Sequence, residues 1–160
     1  MALSTFGHVG TARAGDLFAS RHELAELGQH RPLRAGVCAT AQHGAESLIL
    51  ADQYEDDDIH DDYFWYAGHG GRDPKTGRQT IDQDLTYRNQ GLVRSQATGR
   101  PVRVFRRIAP APAAQQFRYE GLFRVVEAQY VTGKSGYKIW RFRLEPWRAQ
   151  QPVEPTGEEG

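Results

Sequence analysis

The sequence predicts an α+β domain built around a curled antiparallel sheet. Three observations lead there. Short apolar runs recur, and those in the second half alternate with basic residues at period two. Two boxes of the form S/T-x-x-E/Q, Ser20 to Glu23 and Thr80 to Gln83, mark helix starts. Glycine and proline breaks separate these pieces. A chain of 160 residues suits one domain. Folding a chain of this size buries about two-thirds of its surface, so the core needs no covalent staple.

Residues 1–14 read as an irregular arm. The first helix starts after Ser20, buries Leu24 and Leu27, and stops at Gly28. Pro32 biases Arg31 to an extended shape, Arg34 falls at a loop tip, and Gly36 permits close backbone approach. Ser47–Ala51 is a short buried strand leading into Tyr54. Tyr63–Ala67 is a second strand, with Tyr63, Trp65 and Ala67 on one face and Phe64 and Tyr66 on the other. Residues 68–80 form a glycine-rich loop. The second helix begins at Thr80, buries Ile81, Leu85 and Leu92, and ends at Gly99. Three strands follow: Val102, Val104 and Arg106 share a face of the first, and Leu122–Ala128 and Tyr137–Leu144 turn through Gly133 and Gly136. Residues 109–116 are a Pro/Ala connector. The domain spans 1–147, and 148–160 is a polar tail or linker.

Formal net charge is zero, but the charges are segregated. Residues 54–62 carry six of the twenty acids. Residues 85–119 carry none and hold Arg88, Arg94, Arg100, Arg103, Arg106, Arg107 and Arg118. Such a basic segment fits a local nucleic-acid footprint, and equally a solvated arginine-rich surface. The single cysteine, Cys38, excludes an internal disulfide and a cysteine-rich zinc site. No apolar run reaches the ~20 residues of a membrane span, and the N-terminus lacks a signal-peptide pattern. A single cysteine suits a reducing cytoplasm.

The chemistry concentrates in Asp52–Asp73, DQYEDDDIHDDYFWYAGHGGRD. Tyr54 and Tyr66 lie twelve residues apart, with carboxylates between them and a glycine-rich turn with a basic edge after them. Aromatic faces with a placed carboxylate hold a flat, polar ring, and a nucleobase is such a ring. Taken alone, the pair also fits two core tyrosines.

Six motifs carry a resemblance: HRPLRAG, LADQYEDD, WYAGHGGRD, TGRPVRV, RYEGLFRV and GKSGYKIWRFRL. In this order and spacing they resemble the SRA (SET- and RING-associated, or YDG) domain, over residues 6–145. The family's Tyr-Asp-Gly reads Tyr119-Glu120-Gly121 here, which keeps a carboxylate. The resemblance implies a saddle-shaped, twisted β-barrel of the SRA/PUA-like kind with flanking helices. It implies binding to double-stranded DNA carrying 5-methylcytosine, or 5-hydroxymethylcytosine, with the modified base flipped out. It also implies the reader module of a bacterial modification-dependent restriction system, with a C-terminal HNH-type nuclease domain in cis.

By the same resemblance, Tyr54 and Tyr66 sandwich the flipped base and Asp57 reads its edge. Cytosine presents an N4 amino donor and an ionised aspartate only accepts, whereas thymine O4 would face the carboxylate with a second acceptor. Backbone amides at Ala67 and Gly68 are expected to donate to the base, and Gly36 belongs to the same pocket. The methyl group is expected against Ala51, Asp52 and Gln53, where many relatives have Ala-Gly-Gly. Polar side chains at Asp52 or Gln53 would suit a hydroxymethyl group. Arg34 stands at the thumb that enters the vacated stack. The opposing finger is residues 75–80, with Gly77-Arg78-Gln79 where the eukaryotic maintenance protein has Asn-Lys-Arg, which points to a broader sequence context than hemimethylated CG. Arg72, Lys75, Gly77, Arg78 and Gln79 are the expected DNA-contacting residues there.

Glu55, Asp56, Asp58, Asp61 and Asp62 read as a solvated acidic loop. Two alternatives stay open: a metal-dependent nuclease using the carboxylates of 54–62, and an RNA- or protein-binding barrel. No HNH pattern, H-E-x-x-H or G-x-S-x-G is present, so no catalytic residue, metal ligand or cofactor is expected of this chain.

Overall fold

The computed structural model describes residues 5–51, 54–108 and 116–148. Asp52, Gln53, nearly all of the Pro/Ala connector and nearly all of the tail lie outside the described residues. The strands are β1 (Leu17–Phe18), β2 (Val37–Thr40), β3 (Gly44–Leu50), β4 (Asp58–Ile59), β5 (Phe64–Ala67), β6 (Val102–Arg107), β7 (Phe117–Thr132) and β8 (Lys138–Pro146). Helices α1 (Arg21–Glu26) and α2 (Tyr87–Thr98) flank them.

The sheet runs β2-β3-β6-β7-β8-β5-β4, with β1 added to β7. It is mixed rather than antiparallel throughout, because β3 and β6 pair in parallel. Parallel neighbours need a crossover, and β4, β5 and α2 lie within it. Strand β3 is buried along its whole length because it is covered on both sides. Leu48 and Leu50 join the inner core with Val104, Phe142 and Leu144. Ile49 joins an outer cluster with Phe18, Leu24, Phe105, Phe117 and Tyr119.

One close approach shows that the sheet curls. Strands β2 and β5 are five places apart in the order, about 24 Å in a flat sheet. Yet a Cβ added to Gly36, just before β2, would stand 2.7 Å from the Tyr66 hydroxyl on β5. The two ends of the sheet therefore bend round to face each other across a seam.

Bulges supply the bend. Register slips between Val104 and Phe105 against β7, where Tyr119-Glu120-Gly121 sits. Gly121 has φ +98°, a conformation that suits glycine at such a bulge. Tyr119 is buried and its hydroxyl meets His8 Nδ1 at 2.8 Å. Glu120 pairs with Arg118 at 2.7 Å and Arg106 at 3.6 Å. The YDG-type triplet is thus a bend with its own ion pairs.

The first capping box forms: Ser20 accepts from the Glu23 amide at 3.1 Å, and Glu23 reaches back to the Ala19 amide. Leu24 is buried, but Leu27 caps the helix and is half exposed. The second box does not form. Helix α2 starts at Tyr87, capped by Thr86, and Ile81 and Leu85 are 61% and 46% exposed. Residues 82–83 instead lie along β8. The Gln83 amide donates to Lys138 O at 2.8 Å, its Oε1 accepts from Trp140 N at 2.8 Å, and its Nε2 donates to Gly68 O at 2.9 Å. Three tertiary bonds outweigh one local cap.

Arg103 also departs from expectation. It is fully buried, not part of a basic surface, and its guanidinium donates to the carbonyls of Gln29, Thr5 and Gly7 and pairs with Glu46.

Candidate nucleic-acid interface

The seam holds a cavity of about 230 Å³. Gly36, Ile49 and Ala51 line it from the β2–β3 side, and Tyr54, Asp57 and Tyr66 from the β5 side. Arg21, Arg34 and Arg107 also border it. The structure thus brings together both tyrosines, the aspartate and Gly36, from segments distant in sequence. Ala51 lines the cavity, while Asp52 and Gln53 lie outside the described residues.

Tyr66 is buried at the end of the inner core. Burial, with Asp57 beside it, pushes its hydroxyl far above the ordinary phenol range, so it stays protonated. Tyr54 is half-buried. The Arg72 guanidinium lies 3.7 Å from the centre of its ring and donates to Gly68 O at 2.7 Å. A cation–π contact and a hydrogen bond together fix the angle of that ring.

The two expected backbone donors are already engaged. The Ala67 amide donates to Asp57 Oδ1 at 2.9 Å, and the Gly68 amide donates to Trp140 O at 2.7 Å. Ala67 thus orients the aspartate. One such bond does not exhaust a carboxylate, which offers about four acceptor sites. Gly68 is a packing position: a Cβ there would fall within 2.9 Å of Asn89, Gln83 and Trp140.

The loop bearing Arg34 is held from below. Arg21 donates to Pro32 O at 2.9 Å and Ala35 O at 2.7 Å. His30, fully buried, meets Ser47 Oγ at 2.7 Å and Ala35 O at 2.9 Å. Burial lowers the His30 pKa to about 3, so the ring is neutral. Arg34 itself is exposed at the cavity rim.

The opposing loop is a closed turn. Asp73 N donates to Arg78 O at 2.9 Å, Gly77 N to Asp73 O at 2.8 Å, and Arg72 bridges to Gln79. Lys75, Gly77 and Arg78 lie on this turn, and Lys75 is exposed. Gln79 was expected to contact DNA, but it is 4% exposed. Its Nε2 donates to Gly70 O and Ile81 O, and its Oε1 accepts from Gln83. It anchors the base of the loop. Gly71, at φ +72°, leaves room for that side chain.

The acids of 54–62 point to separate tasks. Glu55 accepts from Gln79 N at 3.2 Å and from the Ser135 hydroxyl, the main cause of its lowered pKa, and faces Arg78 at 3.8 Å. Asp56 accepts from Lys134 N at 2.9 Å, and Asp58 faces His60 at 3.0 Å. Glu55 and Asp56 therefore tie the site to the β7–β8 turn, where a solvated loop was expected. Among the described residues no three metal-ligating side chains converge.

Sequence reasoning passed over Arg21, His30, Gln83 and Arg107 as site residues. Arg107 is the outer member of an Arg106-Arg107 pair at the end of β6, and only the curl of the sheet brings it to the cavity.

Comparison with known proteins follows the same lines. The SAD/SRA domain family matches residues 5–150. The E3 ubiquitin-protein ligase UHRF1 of Bos taurus is 34% identical over 174 residues, covering 94% of this chain and 22% of that protein. The modification-dependent TagI restriction endonuclease superposes with a TM-score of 0.82 at 35% identity, covering 94% of this chain and 54% of that one. The SUVH5 SRA domain in complex with hemi-methylated CG DNA gives 0.76 at 32% identity, over 94% of this chain and 99% of that one. Bound to fully hydroxymethylated CG DNA it gives 0.75 at 30%, with the same coverage. The curled sheet with two flanking helices is the twisted, barrel-like fold of these structures, and by sequence and by fold the chain belongs to the SAD/SRA domain family.

Proposed function

We propose that this chain binds double-stranded DNA carrying 5-methylcytosine or 5-hydroxymethylcytosine and draws the modified base into the seam cavity. The observation that carries this is the convergence of Tyr54, Tyr66 and Asp57 on one cavity between two arginine-bearing loops. The family match and the SUVH5 complexes with methylated and hydroxymethylated DNA support it. With Arg72 on one face of Tyr54, the base stacks on the other, and Tyr66 closes the pocket. Stacking contributes about 1–3 kcal/mol per base, enough to offset the few kcal/mol of unstacking. Asp57, oriented by the Ala67 amide, accepts from the cytosine N4 amino group. Arg34 enters the gap from one side, and Arg72, Lys75, Gly77 and Arg78 approach from the other.

The domain of 1–147 is a reader without a catalytic centre of its own, in a bacterial cytoplasmic restriction protein with a nuclease domain in cis. The likeness to TagI, of which the chain covers 54%, supports that architecture. Among the described residues no helix is long and apolar enough to cross a membrane.

Burying one methyl group contributes about 0.8 kcal/mol, roughly a fourfold preference. Larger selectivity for the hydroxymethyl form would come from Asp52 or Gln53. Titration of three duplexes that differ only in cytosine, 5-methylcytosine or 5-hydroxymethylcytosine tests the reading. Modified duplexes should bind more tightly, and Tyr54→Ala or Tyr66→Ala should weaken them by about five- to a hundredfold. Equal affinity for all three would overturn it. Plasmid incubated with this chain and a divalent metal should stay uncut.

A further inference from the structure

A second, narrower cleft of about 60 Å³ opens on the α2 side of Tyr54. It shares Gly36, Tyr54 and Tyr66 with the base cavity, and adds His69, Arg72 and Arg88. Its walls carry two guanidinium groups and an imidazole, and no carboxylate lines it. It holds about two waters' worth of space, too little for a base.

Each of the three residues is anchored. His69 is clamped to the first turn of α2: its amide donates to Asn89 Oδ1 at 2.8 Å, and Asn89 Nδ2 donates to His69 O at 3.0 Å. Arg72 is fixed by Tyr54 and Gly68. Arg88 rests over the Tyr87 ring at 4.6 Å, and its buried Nε has no hydrogen-bond partner among the described residues. The contrast with Arg103 is direct, since that buried guanidinium meets three carbonyls and a carboxylate. Burial, then Arg88 and Arg72, lower the His69 pKa, as expected of an imidazole in a positive field.

We infer that this cleft is a phosphate subsite, in which Arg88, with Arg72 and His69, holds a backbone phosphate flanking the flipped nucleotide. The inference rests on the base-binding reading above. Because the two cavities share three walls, an anion in the cleft lies within covalent reach of a base in the pocket, and the nucleotide's own phosphodiester is such an anion. A phosphate accepts from the guanidinium groups that line the cleft and relieves the repulsion between them.

The test is a cycle between protein and DNA. Duplexes with one modified cytosine are prepared with a neutral methylphosphonate at the 5′ or the 3′ linkage of that nucleotide. Affinities are measured at several salt concentrations for the unaltered chain, Arg88→Gln and Arg88→Lys, with thermal melts to confirm folding. Arg88→Gln should weaken the all-phosphate modified duplex about tenfold and reduce the salt slope by about 0.9. At one linkage the methylphosphonate should weaken the unaltered chain similarly and Arg88→Gln no further. Arg88→Lys should restore the slope. Unchanged affinity and slope in Arg88→Gln, or losses that multiply at both linkages, would overturn the subsite. An unaltered chain that ignores the modification would instead overturn the base-binding reading, and that result precedes any variant.

Discussion

At the scale of single residues, the site depends on what is missing as much as on what is present. Gly36 leaves the space that the Tyr66 hydroxyl occupies, since a Cβ there would come within 2.7 Å. Gly36→Ala must displace a buried ring or the loop that carries Arg34. Overpacking of this kind costs about 1–3 kcal/mol. Affinity for the modified duplex should therefore fall about tenfold or more by titration, while calorimetry still shows one cooperative transition. Unchanged affinity would mean that the ring angle does not matter. His30 makes a second prediction. Its folded pKa of about 3 lies below the ordinary 6.5, so the unfolded chain binds the extra proton between those values. The stability from keeping His30 neutral is present above pH 6.5 and is lost as pH falls towards 3. Between pH 7 and 5 the loss attributable to it is about 2 kcal/mol. Denaturant titrations should show a steeper pH slope for the unaltered chain than for His30→Gln across that range. Parallel slopes would mean that the imidazole does not stay neutral in the fold.

Elements show which part of the design was legible in the sequence. That Tyr54, Asp57 and Tyr66 would come together in space could be read because they belong to one local motif, and the Ser20 cap because α1 forms with the bonds it can make locally. The start of α2 could not, because Thr80 and Gln83 form a perfectly good capping box whose partners are claimed elsewhere. Gln83 spans β8 and the glycine loop through Trp140 N and Gly68 O, contacts that no local pattern encodes. Arg103 was hidden for the same reason, since its acceptors come from residues 5, 7, 29 and 46. The role of Gln83 is testable. Gln83→Ala leaves the part-buried Trp140 amide without its partner and takes one of the two donors of Gly68 O, which keeps Arg72, at about 1–3 kcal/mol for the unsatisfied group. Thermal unfolding should shift down by roughly 3–10 °C. Hydrogen exchange should show the 68–83 segment opening before the core of β3 and β6. A uniform rise in exchange across the molecule would remove Gln83 as the strut of this loop.

The whole molecule joins zero net charge to the polyanionic ligand proposed for it, and the pairing of its acids explains how. Glu46 is committed to Arg31 and Arg103, Glu120 to Arg106 and Arg118, and Glu145 to Arg143. Arg21, Arg34, Arg72, Arg88 and Arg107 have no carboxylate partner among the described residues, and all five border the cavity or its side cleft. Folding thus turns a neutral sequence into a molecule with a positive rim around the seam. Arg21 is spent on the Pro32 and Ala35 carbonyls, which leaves four arginines able to reach phosphate. Each phosphate neutralised contributes about 0.9 to the slope of log affinity against log salt. These four alone give an expected slope of about −3 to −4, which Lys75 and Arg78 of the opposing loop can only steepen, in a chain whose isoelectric point of about 7.0 would suggest none. Arg34→Ala and Arg107→Ala should each reduce the slope by close to one phosphate, whereas Arg103→Met should act through stability. Breaking that buried pair costs about 3–5 kcal/mol, while the slope of whatever remains folded stays as it was. Measuring slope and stability on the same variants separates the two kinds of arginine. A slope near zero in the unaltered chain would show that the rim does not meet the DNA backbone.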